Sequence, residues 1–324
     1  MLSRTASNLY WMARYVERAG NLARVMEVAD RMSLMPSANP EGPGPGSEWH
    51  SALITSGNEE GYLKKFEEIR GQQIQSYLIF DQNNPSSVWS CFETARRNAR
   101  MVRSNLTTEV WESINDTWLE FSKRSETPLE GNNLRVLLDW VRERSLQFHG
   151  AVIGTMLRDD AFAFIRMGTY LERADNTARI LDVKYHILLP EHAPVGGTLD
   201  YYQWASILRA VAAHRSYRHL YRESYRPWLI AELLTLRVEM PRSLVACLGE
   251  LRKHLMNLSE IYGLQQECHR LSGQMHAELA FGRIQDIFQQ GLHEFLTRFI
   301  DRNYELNDQI HKDFLVIFPP LHST

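Results

Sequence analysis

The sequence predicts an all-α protein that folds as a large antiparallel bundle of helices. Most segments of the 324-residue chain place apolar residues every three to four positions, as helices with one buried side do. No segment alternates apolar and polar residues for long enough to predict a strand. Short breaks rich in Pro and Gly separate the segments, and long helices joined by short loops favour an antiparallel bundle.

The first half of the chain opens with a long amphipathic pattern. Ser3 is expected to cap this helix, and the stretch 36–47 ends it because its Pro and Gly residues do not suit a helix interior. A turn over 81–87 offers several capping residues before the next long helix. The helices predicted in this half cover 3–33, 48–56, 59–70, 72–80, 86–105, 107–124 and 132–156.

The second half opens with another long helix. Asp159 is its expected cap, and Pro190 lies beyond its end. The loop over 191–198 is the best internal divide of the chain. The predicted helices cover 159–188, 200–225, 228–238, 242–260, 262–290 and 292–313.

One charged helix occurs twice in the sequence. Residues 15–28 read YVERAGNLARVMEV and residues 170–183 read YLERADNTARILDV, at a constant offset of 155. This repetition indicates an ancient duplication, with halves at about 1–158 and 159–324. Because helices precede and follow the second copy, we expect one intertwined domain over 1–324.

The repeated helix carries the candidate site. On a helical wheel its Glu, Asn and final Arg share one stripe, with the Arg of the Glu-Arg pair on its flank. A solvent-facing helix requires no such fidelity, so the repeat predicts a specific geometry. A weaker echo over 91–102 predicts a third helix that directs related side chains toward the same place. The candidate anion-binding residues are Arg14, Glu17, Arg18, Asn21, Arg24, Arg96, Arg100, Glu172, Arg173, Asn176 and Arg179.

Three interpretations of these residues stay open. The stripes can form a buried ion-pair network, which fixes helix register without necessarily adding stability. They can instead form a pocket in which Arg24, Arg179, Arg96 and Arg100 hold a carboxylate or phosphate while the glutamates orient them. Catalysis by the glutamates is the third, although a carboxylate beside several arginines has a lowered pKa and is a poor general acid or base near neutrality.

The other patterns exclude several classes of function. The Arg- and Tyr-rich stretch 214–228 suits single-stranded nucleic acid or a protein interface, and the net charge of −3 favours the interface. Cys268, His269 and His276 lie on one predicted helix without the spacing of a metal site, so no metal is expected. No phosphate loop, dinucleotide fingerprint or nucleophile motif occurs, so we expect no cofactor and predict no self-sufficient catalytic site.

The location of the protein is also predicted from composition. Its three cysteines stand far apart and are odd in number, which fits a reducing compartment. No signal peptide and no apolar run of about 18 residues is present. We therefore expect a cytoplasmic protein with no membrane partner.

Four segments together resemble the bacterial alpha-E family over essentially the whole chain. They are the MLSRTASNLYWMARYVERA start, the NPSS…ARRNAR segment, MPRSLVACL and the doubled helix. The resemblance implies an all-helical fold with a Glu-Arg motif, carried here by Glu17-Arg18 and Glu172-Arg173. The third segment departs from the motif, because Thr94 stands where its Arg would be.

The resemblance also implies a setting. Genes of this family commonly lie beside a circularly permuted ATP-grasp ligase and a transglutaminase-like protease. We therefore expect a component of a bacterial peptide- or amide-ligation system that binds the ligase or an anionic substrate, with a homo-oligomer as a further possibility. The alternatives are an enzyme that forms or cleaves an amide bond at the Glu-Arg residues, and a structural scaffold.

Overall fold

A computed structural model describes residues 1–34, 47–125, 129, 132–186 and 198–315. Within these ranges every regular element is a helix and no strand occurs, which confirms the all-α prediction. The predicted breaks over 36–47 and 191–198 lie outside the described residues, apart from one position at the end of each.

The helices of the first half lie close to their predicted positions, with two exceptions. Ser3 is already inside the first helix and makes no side-chain cap, because extended Leu2 holds the cap position. The helix predicted over 59–70 ends at Leu63. The bounds are α1 Ser3–Ser33, α2 Glu48–Thr55, α3 Glu59–Leu63, α4 Gly71–Ile79, α5 Val88–Met101, a 3₁₀ turn Arg103–Asn105, α6 Thr108–Arg124 and α7 Asn133–Thr155.

Two long helices predicted in the second half are each divided. Ala212, with φ of 58°, ends the first part of the helix predicted over 200–225, and 262–290 divides before Ile284. Asp159 caps α8 as predicted, because its carboxylate accepts from the amide of Phe162 at 3.1 Å. The bounds are α8 Asp160–His186, α9 Thr198–Ala210, α10 His214–Tyr221, α11 Pro227–Thr235, α12 Leu244–Tyr262, α13 Glu267–Ala280, α14 Ile284–Gln290, α15 Leu292–Ile310 and a π turn His311–Leu315.

The repeated helices α1 and α8 pack along each other at the centre of the fold. A Cβ atom added at Gly168 would lie 2.4 Å from the carbonyl oxygen of Tyr10, so the backbones approach closely there. Further along both helices, Arg14 and Arg18 reach Glu172. Because the contacts advance in the same direction on both helices, α1 and α8 run parallel. Short loops indicate direction only for successive helices, which is why the sequence did not predict this parallel pair.

The remaining helices surround this pair in two corresponding sets. Helices α5 and α7 pack on α1, and α12 and α15 pack on α8, with α6 and α13 outside them. Helices α4 and α11 have matching bounds at an offset of 156. The hydroxyl of Tyr62 donates to a carbonyl six residues later and that of Tyr217 to one seven residues later, both at 2.9 Å. The two halves thus repeat in structure, while their unity as one domain stays a prediction.

Candidate functional site

The two Glu-Arg motifs exchange partners across the α1–α8 contact. Glu17 of the first copy accepts from Nε and Nη2 of Arg173 in the second, both at 3.0 Å. Glu172 of the second copy accepts from Nε and Nη2 of Arg18 in the first, at 2.6 and 3.1 Å. Glu17 is 1% exposed and Glu172 5%, so both ion pairs are buried. The Glu-Arg dipeptide therefore recurs because each copy completes the other.

Two further side chains contact the Glu17 carboxylate: His149 from α7, and Arg242 from the segment just before α12. Nε2 of His149 lies 2.6 Å from one carboxylate oxygen, and Nη1 of Arg242 lies 3.1 Å from the other. The same Nη1 is 3.3 Å from the amide oxygen of Asn21. These contacts define the Glu17 cluster: Glu17, Asn21, His149, Arg173 and Arg242.

Glu172 has a second arginine partner, Arg14, which also lies on α1. Nε of Arg14 donates to Glu172 at 2.8 Å, and Nη1 of Arg14 also donates to Asn307 on α15. The guanidinium of Arg14 stacks 4.9 Å from the ring centre of Trp11. Glu172, Arg14 and Arg18 form the Glu172 cluster.

The arginines keep both carboxylates ionised. Burial alone would raise the pKa of the Glu17 carboxyl, but Arg173 and Arg242 outweigh it and hold that pKa well below its usual range. Burial likewise opposes ionisation of Glu172, and Arg18 and Arg14 lower its pKa to about 2. Neither carboxyl takes up a proton near neutral pH, which suits a fixed charge and not a proton shuttle.

A pocket of about 260 Å³ opens beside the Glu172 cluster, and we call it the Glu172 pocket. It lies among α1, α8, the end of α2, the loop before α5, and α15. Its polar lining includes Arg14, Arg18, Asn21, Ser86, Glu172, Asp175, Asn176, Arg179 and Tyr304. Glu17 and Arg173 are not among its lining residues, so the pocket adjoins one of the two ion pairs.

Three polar atoms in the wall of this pocket have no hydrogen-bond partner among the described residues. They are Oδ1 of Asn176, Oδ1 of Asp175 and Oγ1 of Thr55. Asn176 is 8% exposed and Thr55 is 5% exposed. Buried polar groups are normally paired, since an unmade bond costs about 1–3 kcal/mol. The pocket therefore presents unused hydrogen-bonding capacity.

The candidate residues of the sequence divide between the clusters and other places. Arg179 borders the pocket, where its Nε donates to Asp175 at 2.7 Å and its Nη2 to Tyr304 at 2.7 Å. Arg24 occupies the corresponding place in the other half but does not line the Glu172 pocket, and its Nη1 donates to the carbonyl of Ala210 at 2.7 Å. Burial and the neighbouring Arg242 lower the pKa of Arg24.

The two candidate arginines of the third predicted helix, α5, do not reach the site. Arg96 on α5 donates to Asn115 on α6 at 3.0 Å, and Arg100 is exposed. The expectation that α5 directs these arginines toward the repeated helices was wrong, because the face of α5 that packs on α1 is apolar and includes Cys91 and Ala95. Of the four arginines proposed to hold an anion, only Arg179 lines the pocket.

Several residues of the site were missed from the sequence, and three of them have structural importance: His149, Arg242 and Ser86. A signal for two of them exists, since PSSVWSC at 85–91 and PRSLVAC at 241–247 match at an offset of 156. Ser87 and Ser243 cap α5 and α12 in the same way. This register places Ser86 opposite Arg242. No comparable pattern marks His149.

The other patterns of the sequence have structural roles. His269 belongs to the start of α13, where its Nδ1 accepts from the amide of Gln266 at 3.0 Å. The described residues contain no group of three or more His, Cys, Asp or Glu side chains suited to a metal ion. The Arg- and Tyr-rich stretch 214–228 does not form one continuous helix, because α10 ends at Tyr221 and Arg222 has a left-handed backbone. Within the described ranges, no helix has the length and apolarity to cross a membrane.

The comparisons with known proteins agree with the geometry. A family model described as a predicted alpha-helical domain with a conserved ER motif matches residues 1–315. No curated protein and no solved structure matches the chain. The Glu-Arg dipeptides that exchange partners across α1 and α8 fit that description.

Proposed function

The chain belongs to the Alpha-E family, and we propose on that premise that it is a binding component of a bacterial peptide- or amide-ligation system. In this proposal it holds a small carboxylate-bearing ligand for an ATP-grasp ligase. The observation that carries the proposal is the Glu172 pocket, a concave site lined by three arginines beside the family's motif. The ligase partner rests on the family resemblance.

The charge of the lining supports an anionic ligand. The lining contains three arginines (Arg14, Arg18 and Arg179) and two carboxylates (Glu172 and Asp175). Its formal net charge is therefore one positive charge. The bonds of Arg18 to Glu172 use Nε and Nη2, so Nη1 keeps its two donors. The side chain of Arg18 is 27% exposed, more than its partner Glu172 at 6%. Arginine donors suit a carboxylate group, which accepts parallel N–H bonds.

Binding is better supported than catalysis by the glutamates. A general acid or base works best when its pKa lies near the operating pH. The pKa of Glu172 is lowered to about 2, and that of Glu17 also lies well below its usual range. The structural role fits the Glu17 cluster, where protein side chains surround the carboxylate and Glu17 does not line the Glu172 pocket.

A pair of matched variants tests the ligand site. Arg179→Gln removes a guanidinium from the Glu172 pocket, and Arg24→Gln removes its counterpart at the repeat offset, which does not line that pocket. The binding of small carboxylates to the wild-type chain and both variants would be measured by calorimetry. We expect Arg179→Gln to weaken binding about tenfold and Arg24→Gln to leave it unchanged. Equal effects of the two substitutions, or no carboxylate binding to the wild type, would refute the site.

The partner is tested separately. The chain would be used to capture the neighbouring ATP-grasp ligase, with and without ATP and amino acids, after both proteins are shown to be folded. We expect a complex that survives gel filtration. Failure of folded proteins to associate under any of these conditions would remove the ligase from the proposal and leave the ligand site untouched.

A further inference from the structure

The two halves differ in the residues at the Glu172 pocket and at the corresponding position beside Glu17. In the Glu17 cluster, Nη1 of Arg242 bridges the Glu17 carboxylate and the amide oxygen of Asn21, one helical turn later. At the repeat offset, Asn176 corresponds to Asn21 and is likewise four residues after its glutamate. Its amide oxygen is buried and has no partner among the described residues.

The missing donor has a sequence cause. Ser86 stands in the loop before α5 where Arg242 stands before α12, and Ser86 lines the Glu172 pocket. A serine is too short to fill the volume that an arginine occupies. One half therefore supplies its own N–H donor to the asparagine, and the other leaves both the space and the acceptor.

The neighbouring residue adds a second acceptor. Asp175 takes the place of Gly20, where an added Cβ atom would lie 2.8 Å from Oγ of Ser145. One oxygen of Asp175 accepts from Arg179, while the other is buried and has no partner within the described residues. Two unpaired acceptors thus belong to consecutive residues of α8 that line the Glu172 pocket, and Thr55 in the same lining adds a third.

We infer that the ligand of the Glu172 pocket carries an N–H donor together with its carboxylate, as an amino acid or the end of a short peptide does. The nitrogen donates to Asn176 and Asp175, as Arg242 donates to Asn21 in the other half. The carboxylate meets Arg18 and Arg179 in the same pocket. A volume of about 260 Å³ suits one or two small residues. This inference rests on the proposed function and adds the chemistry of the ligand.

Three probes that share a three-carbon acid core test whether the ligand carries an N–H donor. Propionate has the carboxylate alone, alanine adds an ammonium group, and N-acetylalanine adds an amide N–H. Their dissociation constants would be measured by ligand-observed NMR titration. We expect alanine or N-acetylalanine to bind at least about tenfold more tightly than propionate, the effect of one charge-assisted hydrogen bond. Preference for alanine identifies a free amino group, and preference for N-acetylalanine identifies a peptide terminus.

Two substitutions locate the effect. Asn176→Ala should abolish most of the preference over propionate while leaving folding intact, because the amide oxygen has no partner to lose among the described residues. Ser86→Arg should fill the pocket and abolish binding of all three probes. Ser104→Arg adds the same charge at an exposed site outside the pocket and is its control.

The outcomes separate the inference from the proposed function. If propionate binds as tightly as both nitrogen compounds, or if Asn176→Ala retains the preference, the inference is wrong and the carboxylate site stands. If Ser86→Arg is folded and binds alanine as well as the wild type does, the ligand lies elsewhere. If none of the probes binds the wild-type chain, the proposed site itself fails.

Discussion

Substituting Gln for each motif glutamate should distinguish the enclosed cluster from the one beside the pocket. Glu17→Gln leaves two guanidinium groups, those of Arg173 and Arg242, without a counter-charge. Their side chains are 13% and 11% exposed, so water does little to replace the lost carboxylate. Removing one partner of a buried ion pair costs about 3–5 kcal/mol, so we expect Glu17→Gln to lower the free energy of unfolding by that amount.

Glu172→Gln should cost less. The side chain of Arg18 is 27% exposed at the pocket, so water can hydrate its guanidinium. Arg14 keeps its bond to Asn307 and its stacking on Trp11. We expect a loss of about 2–3 kcal/mol, nearer the value for hydrogen bonds to a charged group.

Equilibrium unfolding in urea at pH 7 measures both losses. Circular dichroism and tryptophan fluorescence should give coincident transitions before free energies are extracted. Adding Arg173→Gln to Glu17→Gln should restore part of the stability, because it removes one of the unpaired cations. The assignment of an enclosed and an open cluster is refuted if Glu172→Gln costs as much as Glu17→Gln, or if both cost under about 1 kcal/mol.

Two further predictions concern pH and packing. The pKa of Glu172 is about 2 in the folded protein, below its usual value of 4.5, so its contribution is present above pH 4.5 and is lost as the pH falls toward 2. As the pH falls across that range, the urea midpoint should decrease less steeply for Glu172→Gln than for the wild type. Equal decreases in the two proteins would contradict a lowered pKa of Glu172. Gly168→Ala should destabilise by about 1–3 kcal/mol or more, because its Cβ meets the Tyr10 carbonyl. Gly150→Ala on α7 meets nothing within 4 Å and should stabilise by about 0.5–1 kcal/mol, so equal effects of the two would refute the close approach.

The sequence predicted most helices because each buries an apolar side and ends at local signals. Helix α8 begins at its predicted Asp159 cap for that reason. The helix predicted over 200–225 is broken near Ala212, which has a left-handed backbone although no Gly or Pro stands there. A positive φ is uncommon for any residue other than Gly, so an Ala at this position gives no local signal of the break.

The site was predicted in part. The repeat identified Glu17, Glu172 and their neighbouring arginines as a special geometry, because identical charged patterns at two distant places require a shared partner. The wheel then favoured Arg24 and Arg179 as the holders of an anion, whereas the flanking Arg18 and Arg173 reach across the contact. A wheel orders the faces of one helix, and the reach of a side chain to another helix depends on their parallel packing.

The positions of Ser86 and Arg242 have a consequence for how such a protein can arise. Two identical half-length chains, assembled around a twofold axis, would carry the same residue at both positions. Such a dimer would have an arginine at both positions or a serine at both positions. Joining the halves into one polypeptide lets each copy change alone, so one copy can keep the Arg242 contact to Glu17 while the other keeps open space beside Glu172. If the proposed function holds, we expect one ligand per chain at this pair of positions.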